Sequence, residues 1–336
     1  MRHLLIALLG VMTLYAMPVW AFSCSTTTSS TTLNVPPLTV QRDTPVGTQI
    51  ATEVVSGTVN PFSCSNSAPS LTFQEFGVKG YGNFNSMVDG RRVYDTNIAG
   101  IGYAVGAAML SACNNLGYVD GTSNLDGNLN NRNLCSINGM FASPVPSQAR
   151  VTFYKTANVT GSGTVTGKQV GSFILRNNQN SFQQPESAIN INSFNVTTVA
   201  CSVGNASIIV PMGNIKTTAF SGVGSSPAAS NTQSFTIPLS CNLGTRIFVS
   251  LSGTAVNGTT GVLALDSAGS SGVASGVGIQ LLSNNTPVTF GNWINAGTAS
   301  SSGAYNIPLQ ARYYQTAQTI TAGTANSSAT FTLTYQ

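Results

Sequence analysis

The residues best suited to recognition chemistry lie between two cysteines, in CNNLGYVDGTSNLDGNLNNRNLC from Cys113 to Cys135. Asp120, Asn124, Asp126 and Asn128 bring carboxylates and amides together at short intervals. Such groups can match the donors and acceptors of a sugar bidentately. The same residue types also build Asx-turns, so the stretch reads as a disulfide-tied polar loop with two uses open to it. Calcium takes oxygen ligands too, but Asp120 and Asp126 do not follow the EF-hand spacing, and no metal site is expected. GIGYAVG at 100–106 superficially resembles a nucleotide loop. Its glycine spacing is wrong and no helical pattern follows, so no cofactor is expected.

Catalysis is disfavoured by what surrounds these residues. The single histidine is His3, and it falls in a stretch with the layout of a secretory signal peptide. Arg2 and His3 precede the apolar run from Leu4 to Met12, and Val19 and Ala21 are the small residues of a cleavage site. The reading is a leader at residues 1–21, with Phe22 as the mature N-terminus. Removing His3 removes the usual general base of Ser-His and Cys-His mechanisms, and the remaining acids are sparse and unpaired, so an enzyme is not expected. The chain has 13 Lys and Arg against 9 Asp and Glu. Apart from Arg91 and Arg92 the bases are scattered singly, which argues against nucleic acid as a partner. No later run reaches the ~20 apolar residues of a spanning helix.

The elements that position these residues are strands. Short alternating or apolar runs recur, among them RVTFY at 150–154, VGSFIL at 170–175, RIFVSL at 246–251 and GIQLL at 278–282, punctuated by Gly, Asn, Pro and Ser. That pattern means sandwiches or barrels. The closing stretch SATFTLTYQ puts Ala329, Phe331, Leu333 and Tyr335 on one face of a strand. Charge divides the chain, because beyond Val196 only Lys216, Arg246, Asp266 and Arg312 are charged. The expected units are residues 22–195 and 196–336. All 6 cysteines lie beyond the leader, in an oxidising compartment. Sequence order suggests Cys24–Cys64, Cys113–Cys135 and Cys201–Cys241. Of the aromatic residues, Tyr81, Phe84, Tyr103 and Tyr118 are candidate sugar platforms, and Trp293 is expected in the second core.

The second half resembles the pilin domains of chaperone–usher fimbriae. The resemblance is carried by CSV from Cys201, IIVPMG at 208–213, FTIPLSC ending at Cys241, GIQLL at 278–282, IPLQARYY at 307–314, TAG at 321–323 and ATFTLTYQ at 329–336. The first half is similar to the lectin domains of two-domain tip adhesins of the type 1 fimbrial kind. There the matches are FSC at 22–24, CSN at 64–66, RVYDTNIAGIG at 92–102 and FILR at 173–176.

What the resemblance implies is an all-β chain of two β-sandwich domains. The first would be an elongated jelly-roll or immunoglobulin-like lectin domain, the second an immunoglobulin-like pilin domain lacking its last strand. The missing strand would leave a groove lined by Phe331, Leu333, Tyr335 and Gln336. A periplasmic chaperone would fill it first, and an adjacent subunit's donated strand would follow at the outer-membrane usher. With a lectin-like half where a pilin has its donor extension, the chain would sit at the fimbrium tip on the cell surface. Its glycan site would draw on the α-amino group of Phe22 and on Asn66, Ser67, Asn177 and Gln179, with Ser67 where the family has an aspartate. The alternative is a structural tip or initiator subunit whose first half binds a protein ligand.

Overall fold

A computed structural model describes residues 22–68, 70–122, 125–178 and 182–336. The leader expected at residues 1–21, and the candidate residues Asn124 and Gln179, lie outside the described residues. What is described is almost entirely β-structure, with two single-turn 3-10 helices at Thr217–Ala219 and Ala229–Asn231. The strand Gly303–Gln315 shows why: Ile307, Leu309, Ala311 and Tyr313 are buried while their neighbours are not, the period-two pattern of a pleated ribbon with one wet face.

Two hydrophobic clusters form. The first collects residues between Leu33 and Val196, the second residues between Cys201 and Tyr335. In the first unit one sheet has the order Val54–Val55, Ser147–Lys155, Ile101–Met109, Arg91–Asp95, Phe84–Val88, with Asn115–Tyr118 also paired to Ile101–Met109. The opposing sheet has the order Asn131–Asn138, Phe73–Gly80, Lys168–Asn177, Ser187–Ile191, Ser30–Leu33. Phe76 and Phe173 stack at 6.0 Å within the core between them. Two pairings in this unit are parallel. Ser30–Leu33 runs beside Ser187–Ile191, and Leu38–Gln41 beside Phe194–Val199. The incoming and outgoing segments therefore travel together toward the second unit.

The central strand Ile101–Met109 is buried at every position, which alternation alone would not produce. Its inner side chains enter the main core, while Ala104 on the outer face packs with Val93, Tyr118 and Tyr154 in a small second cluster. The Tyr118 ring lies over Gly106, where any Cβ would come within 2.9 Å of it. The Arg91 guanidinium lies over that ring, 3.7 Å from its centre. Gly102 and Gly106 of the 100–106 motif thus serve packing in a strand, and Gly100 makes the turn before it at φ 74°.

The second unit is a smaller sandwich. One sheet has the order Cys201–Val203, Gln233–Cys241, Gly303–Gln315, Val277–Ser283, Val262–Leu263, and the other Trp293–Thr298, Arg246–Ser252, Thr330–Thr334. Ile247, Val249 and Leu251 meet Ile237, Ile279 and Leu309 in its core. Trp293 is not in that core. It stands on an edge strand at 52 % exposure, because its parity on the strand directs it outward while Ile294 turns in. All three cysteine pairs are bonded as their order suggests.

Candidate functional site

A cleft of about 1150 Å³ with an apolar floor runs along the second unit. Its floor includes Ile237, Leu251, Leu281 and Leu309, and Phe331 stands on one wall. That wall is Thr330–Thr334, an edge strand paired only with Arg246–Ser252. The opposite wall is residues 207–215, an extended segment that belongs to no ladder. Ile208, Val210, Met212 and Ile215 turn toward the core, whereas Ile209 is 86 % exposed. The segment therefore alternates as a strand does while its backbone pairs with no neighbouring strand. Two backbone edges face each other across an apolar floor, and an edge left in this state templates pairing with another chain.

Of the four residues expected along this groove, Phe331 lines it. Leu333 packs beside it against the core. Tyr335 and Gln336 lie past the end of the strand, outside the lining. Tyr335 is buried with the Arg42 guanidinium 4.6 Å from its ring centre. The reason is that residues 41–43 of the first unit reach the strand end and take it up, a contact no local pattern announces.

The candidate residues of the first unit separate into two groups. At one end Phe22 is paired opposite Asn66 in the ladder between Phe22–Thr26 and Phe62–Asn66, two positions from the Cys24–Cys64 bond. Asn66 Oδ1 accepts the Leu71 N–H at 2.9 Å, and Ser67 is exposed beside it. Asn177 sits below, 5 % exposed, its Oδ1 accepting from Gln74 Nε2 at 2.9 Å. Gln74 is fully buried and its Oε1 accepts the Phe141 N–H at 2.8 Å. These two amides brace the floor of this end and satisfy each other. Gln74→Ala is expected to strand the Asn177 oxygen and the Phe141 N–H, costing about 2–4 kcal/mol in denaturant unfolding of the first unit. A loss within error of zero would show that the brace is not needed.

The second group lies elsewhere. Asn177 is opposite Gln74, but Asn131, at the end of the polar loop, is opposite Lys79. Five positions along Phe73–Gly80 amount to roughly 17 Å. In the loop, Asp120 Oδ1 accepts the Thr122 N–H, Asp126 Oδ1 the Asn128 N–H and Asn128 Oδ1 the Asn130 N–H, each at 2.9–3.0 Å. These are Asx-turns. Arg132 pairs with Asp120, and Arg176 donates to the Leu125 carbonyl while pairing with Glu75. Leu125 is buried over Gly77, so the loop covers the outer face of its sheet. Among the described residues no cluster of three or more His, Cys, Asp or Glu could hold a metal ion.

Of the four aromatic platforms, Tyr103 and Tyr118 are buried and Phe84 is exposed beneath Arg92. Tyr81 donates to Glu186 Oε2 at 2.6 Å. Burial opposes the Glu186 charge, but Ser172, Tyr81 and Lys79 together outweigh it and hold the carboxyl below its ordinary range.

A family model described as Fimbrial protein matches residues 189–336. The type-1 fimbrial protein C chain of Escherichia coli is 38 % identical over 151 residues, which cover 42 % of this chain and 79 % of that protein. The fimbria adhesin protein of Klebsiella pneumoniae is 32 % identical over 193 residues, 54 % of this chain. The chain spans only 57 % of the length of that relative. Among solved structures, the CupB6 tip adhesin from Pseudomonas aeruginosa aligns over 93 % of this chain and 94 % of that one, at 16 % identity and a TM-score of 0.35. The receptor binding domain of the adhesin MrkD1P of Klebsiella pneumoniae aligns over 54 % of this chain and 99 % of that one, at 17 % identity and a TM-score of 0.36. The fold is a pair of β-sandwiches, one of them with an open apolar cleft. The chain belongs to the fimbrial protein family.

Proposed function

We propose that this chain is a fimbrial tip adhesin, attached to its fibre by a β-strand that a neighbouring subunit lays into the cleft of residues 196–336. The carrying observation is the pair of unpaired backbone edges, 207–215 and Thr330–Thr334, facing each other over an apolar floor. A strand placed there could hydrogen-bond to both walls and bury alternate apolar side chains, which is β-strand addition. Before that a periplasmic chaperone occupies the cleft and hands the chain to an outer-membrane usher. The first unit, residues 22–195, then stands at the distal end of the fibre on the cell surface.

Its receptor in this reading is a glycan, bound at the end where Phe22 and Asn66 are paired, with Ser67 adjoining and Asn177 and Gln74 as the braced floor. Leader removal would place a free α-amino group there. The chain beginning at Phe22, applied to a glycan array, is expected to bind at least one sugar class and to weaken when residues are added ahead of Phe22. Unchanged binding would move the site to the Asp120–Asn128 loop. Silence across diverse glycans would favour the second reading, a tip subunit that binds a protein. One observation speaks for that reading, since Asn66 and Asn177 already spend their side-chain oxygens inside the fold.

A further inference from the structure

We infer that Asp43, in the first unit, is a positioning residue for strand capture by the cleft of the second. The inference rests on the cleft being a strand acceptor. Three consecutive residues make the connection. Gln41 ends the strand Leu38–Gln41, and its buried side-chain amide donates from Nε2 to the Gly244 carbonyl at 2.9 Å while Oε1 accepts the Arg246 N–H at 3.0 Å. This holds the start of Arg246–Ser252, the strand on which the cleft wall is hung. The Arg42 N–H donates to the Val199 carbonyl at 3.0 Å, and its guanidinium covers the Tyr335 ring.

Asp43 completes the hook. Its N–H donates to the Tyr335 carbonyl at 3.0 Å, and its Oδ2 accepts the Tyr335 N–H at 3.0 Å and the Thr334 hydroxyl at 3.4 Å. Both backbone groups of Tyr335 are thereby taken, as on one more rung of a ladder beyond the end of Thr330–Thr334. Arg42 braces the same carboxylate at 2.8 and 3.1 Å. Lys155, buried as a residue, donates from its ammonium to the Arg42 carbonyl. Burial works against the Asp43 charge, but the Arg42 pair and the Tyr335 N–H prevail and lower its pKa.

The mechanical consequence follows from the place of Thr330–Thr334 in its sheet. It is paired along one side only, and a short edge strand frays from its ends. Asp43 pins it four positions beyond Phe331, so the wall is ordered before a strand arrives. Ordering that wall in advance removes part of the entropy cost of binding. The first unit thus prepares the groove of the second, a dependence that two self-sufficient modules would not show.

The test uses the chain from Phe22 to Gln336 and a synthetic peptide alternating valine with threonine, long enough to run the cleft. Asp43→Ala is expected to weaken peptide binding roughly tenfold, the size of one charged hydrogen bond. In the free chain it should speed amide exchange from Phe331 to Tyr335 and leave the amides of Phe173 and Leu175 protected. Asp43→Asn keeps the volume and one acceptor but loses the charge that Arg42 braces, and should fall between. Peptide affinity equal to wild type in Asp43→Ala would reduce the hook to a joint and overturn the inference. If that variant does not fold, wild-type affinity in Asp43→Asn overturns it equally. Failure of the wild-type chain to take up the peptide would overturn both the inference and the strand-acceptor reading.

Discussion

The second unit carrying Cys201→Ser and Cys241→Ser together is expected to lose about 2–5 kcal/mol of stability, the usual effect of removing a native disulfide from a small exported domain. The bond closes 40 residues and ties Cys201–Val203, which has only three rungs on Gln233–Cys241, to the sandwich. That short strand leads directly into the unpaired wall 207–215. Without the bond the wall is held chiefly by the half-buried Ile208, Val210, Met212 and Ile215 and by the Tyr313 hydroxyl, which donates to the Gly213 carbonyl at 3.3 Å. In denaturant unfolding the transition of residues 196–336 should move to lower concentration. A transition belonging to residues 22–195, followed by exchange at Phe173 or Leu175, should stay where it is. Movement of both together would mean that the halves unfold as one unit, against the separation of the two cores.

A strand-forming peptide added to the wild-type chain is expected to stabilise the second unit by about 2.7 kcal/mol when present at ~100 times its dissociation constant, through mass action alone. The cleft offers it Leu251, Leu281 and Leu309 as floor and unpaired backbone on both walls, so burial and ladder formation occur together. The same peptide with threonine at every position has the backbone without the apolar face and should stabilise far less. Equal stabilisation by both would mean that binding uses the edges alone and that the floor is incidental. No stabilisation by either would remove the basis for strand addition.

Much of this protein was legible in its residues. Period-two runs and turn punctuation declared an all-β chain, because alternation reports which face of a strand is wet. Cysteine order suggested the three bonds that form, and the motifs from Cys201 to Gln336 pointed to the fimbrial family. Alternation does not say what a face meets. Tyr335 has the parity of Phe331 and Leu333, yet its ring is taken by Arg42 of the other unit rather than by the groove. Trp293, expected in the core for its size, lies outside because its neighbour Ile294 holds the inward position.

The polar residues divide in the same way. Asp120, Asp126 and Asn128 were visible as a cluster, but the backbone N–H groups they satisfy exist only once the loop is folded over Gly77. Asn177 was visible as an amide near the end of a strand, and only the fold placed Gln74 against it. The hook of Gln41, Arg42 and Asp43 joins partners more than 150 positions apart in the chain, from Val199 to Tyr335. Local sequence determined the strands and their alternating faces, since those depend on neighbours along the chain, while the cysteine bonds close only where strands 22 to 40 positions apart meet. The cleft with its two unpaired walls and the clasp that orders one of them were decided by tertiary contact, because each exists only where distant segments meet.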